Sequence, residues 1–368
     1  MPFSDVLAQE RAIGALRAAL RRGALHHAYL FGGPPGTGKA RAARLLAQAA
    51  NCEGEARAVP AAPGAAGLRD EPCGACRACR KIEADNHPDV YWLREERVMA
   101  KAGRWEPKGG RSPSKDIVVD QVRALVDHRL ALKRFEGRRR FVIVDPADAM
   151  NPQAQNALLK TLEEPPDETT LVLVAGSPDA LLPTIRSRCL RVSFQPIPDA
   201  LVVARLEAEG RSPAEARLAA ALAGGSLGRA RALDPAELDA LHEAVRAAAA
   251  LDPDDALGWL AFARERGGDR AQAAELCELL AVWLRDVLAA QAGGGTPALL
   301  DLAAETGRAA AALSPAEVVR RRDEVAWTVL ALKQNAAPVL ALERLVIRWF
   351  AAGERPRSPE TEGAHGLA

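Results

Sequence analysis

A chain of 368 residues with 49 Lys+Arg against 48 Asp+Glu is long enough for two or three domains and too evenly charged to attract nucleic acid by a global field. Any DNA contact has to come from a local patch, and six Trp, two Tyr and seven Phe argue against extensive base stacking. No apolar run approaches the roughly 20 residues of a membrane span, and Met1-Pro2-Phe3-Ser4-Asp5 opens neither a secretory nor a transit signal, so a cytoplasmic location without membrane contact is expected.

Ser4 or Asp5 is placed to cap an amphipathic helix running to about residue 22, and His26-His27-Ala28-Tyr29-Leu30-Phe31 reads as a short buried strand. That strand delivers the chain into Gly33-Pro34-Pro35-Gly36-Thr37-Gly38-Lys39-Ala40, a phosphate loop complete except at its last position. Such a loop works because glycines let backbone N–H groups wrap phosphate oxygens at a helix start, the Lys neutralises charge and a final Ser or Thr hydroxyl ligates Mg²⁺. Ala40 cannot ligate a metal. The helix after Lys39 continues to Cys52, where an Ala/Pro/Gly-rich stretch to Pro72 breaks all periodicity and reads as an exposed insertion. A second polar stretch, residues 101–115, carries Gly109-Gly110 and two prolines and reads as a mobile loop.

Further on, residues 120–132 have helical periodicity, 141–144 form a strand, 152–162 a helix and 171–175 another strand. Alternating strands and helices imply a mostly parallel sheet covered on both faces. Beyond Pro198 the strand signals stop. The rest is helical, broken at Gly224-Gly225, Leu251-Asp252-Pro253-Asp254, Gly267-Gly268 and Gly293-Gly294-Gly295, with a polar tail from residue 352 expected to be disordered. The architecture is thus an α/β nucleotide-type domain followed by two helical regions.

The chemistry expected of the loop is incomplete. Asp145, at the end of Phe141-Val142-Ile143-Val144, stands where a strand acid would hold metal, but Pro146 replaces the adjacent Glu that would act on water. Loss of a general base costs about 10²–10⁴ in rate, so self-catalysed hydrolysis is not expected. Gly33, Gly36, Thr37, Gly38 and Lys39 remain, with Asp145, as a degenerate nucleotide site able to bind ATP or ADP weakly without turnover. Cys52, Cys73, Cys76 and Cys79 supply the four thiolates that close a tetrahedral structural Zn²⁺ site, which leaves no open position for catalysis. Its role would be to fold the insertion. His26-His27 and His87-Pro88-Asp89 read as structural, and Glu163-Glu164-Pro165-Pro166 as a helix end or contact. Thr184-Ile185-Arg186-Ser187-Arg188-Cys189 is either a solvated basic turn or the source of an arginine finger, and spacing alone does not choose.

The stretch Asn156-Ala157-Leu158-Leu159-Lys160-Thr161-Leu162-Glu163-Glu164-Pro165-Pro166, followed by Ser187-Arg188-Cys189, resembles the bacterial clamp-loader ATPase family of DNA polymerase III. His27-Ala28-Tyr29-Leu30-Phe31, the four-cysteine module, Asp120-Gln121-Val122-Arg123 and Ala341-Leu342-Glu343-Arg344-Leu345 agree with it. The resemblance implies an α/β P-loop AAA+ domain over residues 1–197 with a zinc module at about 52–90, a helical lid at 198–240, an all-α collar at 241–351 and a tail at 352–368. It further implies a five-membered ring that loads the sliding clamp onto primer–template DNA, with gamma/tau motor subunits and a delta subunit as partners in the polymerase holoenzyme.

An eroded ATP site beside a retained Ser-Arg-Cys looks most like a non-hydrolysing member, with Arg188 the finger given in trans to a motor subunit and Arg186 a less suitable substitute. By the same comparison Ala175-Gly176-Ser177 lacks the threonines of a γ-phosphate sensor, and Arg229 falls one place late for a sensing role. Competing readings are a working gamma/tau-like motor ATPase, disfavoured by Ala40 and Pro146, and a helicase-loading or repair AAA+ protein, disfavoured by the Asn156 to Pro166 stretch. A zinc-dependent nucleic-acid module would want aromatics among Arg77, Arg80 and Lys81, and none is there.

Overall fold

The computed structural model describes residues 2–54, 69–294 and 297–350; the tail expected from residue 352 and most of the Ala/Pro/Gly-rich stretch lie outside the described residues. Two compact units are present, Met1–Val202 with Gly225–Arg229, and Val203–Gly224 with Ala230–Ala368.

The first unit begins with α1 (Glu10–Arg21), β1 (Ala28–Gly32), α2 (Lys39–Asn51), α3 (Arg77–Glu83), β2 (Val90–Leu93), α4 (Glu96–Lys101) and α5 (Val119–Leu125), the last extended by a π-helical turn over Val126–Leu130. It continues with β3 (Arg140–Val144), α6 (Pro152–Glu163), β4 (Thr169–Ala175), α7 (Pro183–Arg186) and β5 (Leu190–Ser193). All strand pairs are parallel, in the order β2-β3-β4-β1-β5. Because successive strand residues face opposite ways, Tyr29, Phe31, Phe141, Ile143, Val172 and Val174 pack with α1 and α2 side chains such as Leu16, Leu20, Leu45 and Leu46. Leu30, Val142, Val144, Leu171 and Leu173 meet α5 and α6 through Val122, Leu158 and Leu162 on the other face.

Two expectations shift. The first helix starts at Glu10, not at Ser4 or Asp5: Phe3 and Val6 are drawn into the core, and Ala8 takes a left-handed φ of 55° before the helix can begin. The stretch 101–115, expected to be mobile, is tied down by a buried carboxylate. Glu96 is fully buried and accepts from both terminal guanidinium nitrogens of Arg111 (2.6 and 2.7 Å), Trp105 Nε1 (3.0 Å) and the Ser114 N–H (2.8 Å). Burial opposes the charge, yet Arg111, the Ser114 N–H and Trp105 together hold this carboxyl below its usual range. A depressed folded-state pKa contributes stability in full above the unfolded value, about pH 4.3, and loses it as pH falls through the folded value. Glu96→Ala is expected to cost about 1–3 kcal/mol and to speed amide exchange across residues 104–116 at neutral pH; unchanged protection there would contradict the anchoring.

The second unit is helical. Helix α8 (Asp199–Ala208) leads into it, followed by α9 (Pro213–Ala223), α10 (Leu227–Ala232), whose first three residues belong to the first unit, α11 (Pro235–Ala249), α12 (Ala256–Arg266), α13 (Arg270–Gln291), α14 (Ala303–Ala312), α15 (Pro315–Lys333) and α16 (Pro338–Phe350). Side-chain caps at Ser212, Asp234, Asp255, Asp269 and Ser314 start α9, α11, α12, α13 and α15, each satisfying a first-turn N–H. Leu276, Leu280, Trp283, Leu284 and Val287 make α13 the central helix, packed on α14 and α15. In α16, Ala341, Leu342 and Leu345 are buried while Arg344 pairs with buried Glu324 (2.9 Å) and lies 3.5 Å over the Trp327 ring. No helix among the described residues is long and apolar enough to cross a membrane.

Candidate functional site

The phosphate loop leaves the carboxyl end of β1 and enters α2, the place where parallel α/β sheets bind ligands. Its lysine faces inward. Lys39 Nζ donates to the carbonyls of Gly33 (2.6 Å) and Pro34, and Thr37 Oγ1 donates to Pro34 O (2.9 Å). Both side chains are buried, and burial lowers the Lys39 pKa against the opposing pull of Asp145 and Asp148. The segment from Gly225 to Arg229 lies over the loop: Gly228 N donates to Gly36 O (3.3 Å), and a Cβ built on Gly36, whose φ is +71°, would fall 2.0 Å from Ser226 Oγ. Ser226 Oγ in turn accepts from the Arg229 N–H (3.1 Å).

Beside the loop stand Ala40, Asp145 and Asp148. Ala40 packs against the core formed by α1, α2 and the sheet. Asp145 immediately follows β3 and is half-buried, and desolvation raises its pKa although Arg94 and Lys39 pull it down. Asp148 accepts from the Gly176 N–H (3.0 Å) and the Ser177 N–H (2.8 Å), so it ties down the segment after β4.

The four cysteines converge. The Sγ atoms of Cys52, Cys73, Cys76 and Cys79 all lie within 4.8 Å of one another, with Cys73 and Cys79 4.0 Å apart. Tetrahedral thiolate ligation at about 2.3 Å needs sulfurs roughly 3.8 Å apart, so the set fits a four-sulfur Zn²⁺ site and is far too open for a disulfide. Backbone N–H groups point at the sulfurs: Cys73 N to Cys52 (3.4 Å), Cys76 N to Cys73 (3.3 Å), and both Glu53 N and Cys79 N to Cys76 (3.4 Å each). For Cys73, burial resists ionisation, but the Ala75 and Cys76 N–H groups and neighbouring thiols bring the pKa down to about 6, while burial and the Cys76 thiol push Cys79 up. Cys76 also caps α3. The module is pinned to the domain by Asp70 against Arg17 and Arg21, by Lys81 against Glu136 (2.6 Å) and by Gln48 Nε2 donating to Cys79 O (2.9 Å).

Arg188 sits at the opposite end of the strands from the loop. It follows α7 and immediately precedes β5, whose Leu190 pairs with Tyr29 near the start of β1, whereas the phosphate loop follows the end of β1. The five residues of β1 separate the two, a span of roughly 13–17 Å. The guanidinium is held by Glu163 Oε1 (2.6 Å) and donates to Thr184 O (2.9 Å), over an open cleft of ≈ 490 Å³ that His27, Leu162, Glu163, Ser187 and Cys189 help line. Burial and His26 hold His27 below its ordinary pKa, against the Leu162 and Arg188 carbonyls its ring faces. Arg186 instead pairs with Asp179 (2.5 Å). Sequence reasoning left two parts of this arrangement unassigned: Ser226 over the loop, which is about 190 residues away in the chain and carries no local signal, and the pairing of Glu163 with Arg188.

A family model described as DNA polymerase III, delta subunit, matches residues 8–198, just over half the chain. Two curated relatives are named DNA polymerase III subunit delta-prime: that of Pseudomonas aeruginosa is 41% identical over 205 residues, and that of Bacillus subtilis 35% identical over 213. The chain belongs to the DNA polymerase III delta-prime subunit family. The first alignment covers 54% of this chain and 53% of the relative, the second 58% and 55%, so the chain spans about half the length of the relatives it matches. The tau subunit of Escherichia coli is 35% identical over 189 residues, 51% of this chain and 25% of that one.

Proposed function

We propose that this chain is the delta-prime subunit of a bacterial clamp loader, a ring member that hydrolyses no ATP itself and supplies Arg188 to the ATP site of a neighbouring gamma/tau motor subunit. The observation that carries this reading is the placement of Arg188 at the amino end of β5, a strand's length from the chain's own phosphate loop at the carboxyl end of β1 and out of reach of a phosphate bound there. An arginine so placed serves phosphoryl transfer only across a subunit boundary, where it stabilises charge developing on the transferred phosphate. The loop supports the same reading from the other side: Ala40 offers no metal ligand, Pro146 no carboxylate, and Lys39 is engaged by the loop's own carbonyls.

The remaining parts follow. Residues 1–197 act as the AAA+ body, 198–240 as the lid and 241–351 as the collar through which the ring with gamma/tau and delta subunits assembles. Cys52, Cys73, Cys76 and Cys79 hold one structural Zn²⁺, whose chemistry when bound is to fix the module's fold. The sliding clamp and primer–template DNA are engaged through the assembled complex in the cytoplasm.

The similarity to tau makes a motor ATPase the rival reading. Turnover by the purified chain separates the two: no Mg²⁺-dependent hydrolysis is expected, and Ala40→Thr with Pro146→Glu is expected to improve nucleotide binding more than turnover, because Ala175-Gly176-Ser177 still lacks a sensor. Hydrolysis by the unmodified chain that Lys39→Ala abolishes would assign it to the motors instead.

A further inference from the structure

The cleft that presents Arg188 also contains its counter-ion, brought there by a different element. Glu163 is the last residue of α6, which Glu164-Pro165-Pro166 prevents from continuing. A carboxylate in that position opposes the helix dipole, so α6 itself gains nothing from it. Its visible partner is Arg188: Glu163 Oε1 lies 2.6 Å from one terminal guanidinium nitrogen, while the other donates to Thr184 O at 2.9 Å and lies 3.5 Å from Ser187 Oγ. Both side chains stay substantially open to solvent, 36% for Arg188 and 49% for Glu163, and the cleft beside them is ≈ 490 Å³.

We propose that Glu163 is a positioning residue for the finger, a resident counter-ion that holds Arg188 against the Ser187 turn until a phosphate of the neighbouring subunit's nucleotide displaces it. This rests on the reading of Arg188 as a finger given in trans. The two tethers have different fates. Thr184 O is fixed by the turn and keeps one edge of the guanidinium oriented throughout, whereas the carboxylate and an incoming phosphate compete for the other edge, and the phosphate carries the larger charge. An ion pair this exposed biases such an exchange by no more than about fivefold, enough to restrain the finger before nucleotide arrives and too little to block it afterwards. Two anions on one guanidinium edge also repel, so the carboxylate leaves toward solvent when the phosphate docks.

The test uses the reconstituted clamp-loader complex containing the full chain as wild type, Glu163→Gln, Arg188→Ala or the double variant, with ATP hydrolysis measured without DNA at low and high salt. Glu163→Gln, which keeps shape and removes charge, is expected to lower the half-saturating ATP concentration or raise DNA-independent hydrolysis by about two- to fivefold at low salt. The difference should shrink at high salt and vanish in the Arg188→Ala background. A role confined to ending α6 predicts neither the salt dependence nor the dependence on Arg188. A Glu163→Gln complex whose half-saturating ATP concentration is not lowered and whose rate is not raised at low salt, with Arg188→Ala still impaired, would overturn the counter-ion while leaving the finger standing. Arg188→Ala rates equal to wild type would overturn both.

Discussion

Arg188→Ala is expected to leave the chain folded and the ring assembled while silencing the one ATP site that this arginine completes. Among the described residues its side chain contacts Glu163, the Thr184 carbonyl and Ser187 Oγ, all solvent-exposed, so its removal costs little stability. The catalytic effect is of another order. A finger is worth about 10³–10⁵ in rate at the site it serves, and even the lower end makes that site negligible beside those completed by other subunits. Total DNA-stimulated hydrolysis therefore falls in part, not wholly, and clamp loading falls further if loading needs every site to fire. Complexes of equal stoichiometry carrying wild-type or substituted chain, assayed for both activities, decide it. Rates that stay equal would reduce Ser187-Arg188-Cys189 to a structural turn.

The second large effect is expected at the cysteines. The purified chain should carry one Zn²⁺, and Cys76→Ser should release it, because three remaining sulfurs no longer close the tetrahedron and because Cys76 also caps α3 and accepts two backbone N–H groups. Structural Zn²⁺ binding contributes about 10–16 kcal/mol in small zinc domains, far more than any other contact in this module. The loss should be local: amide exchange should rise through residues 69–83, while the sheet, which has its own cores on both faces, keeps its protection. Binding displaces thiol protons, so metal should also leave progressively as pH falls. Metal content unchanged by Cys76→Ser would remove the assignment.

Much of the first unit was legible because its strands are short apolar runs buried on both faces. Phe141 to Val144 and Leu171 to Ala175 announce themselves that way, and the helix from Pro152 begins where Asn151 caps it. The β5 strand was not legible, since only Val192 of its four residues is buried and the rest read as surface. Nor was the anchoring of residues 101–115: Glu96 looks in sequence like any acid in Arg94-Glu95-Glu96-Arg97, and only the fold reveals that it is buried under Arg111 and Trp105. The site divides in the same manner. Cysteine spacing and the missing hydroxyl at Ala40 are local facts, readable at once. The closure of the loop by Ser226 and the distance of Arg188 from Lys39 are products of topology, fixed by the parallel register of β1 and β5 and by no motif.

In the assembled ring this chain's own loop is expected to be idle while its arginine is not. Lys39→Ala and Arg188→Ala, placed singly in otherwise identical reconstituted complexes of verified assembly, set the two against each other in DNA-stimulated ATP hydrolysis. Hydrolysis near wild type with Lys39→Ala and clearly reduced with Arg188→Ala is the expected outcome; the reverse order would contradict it.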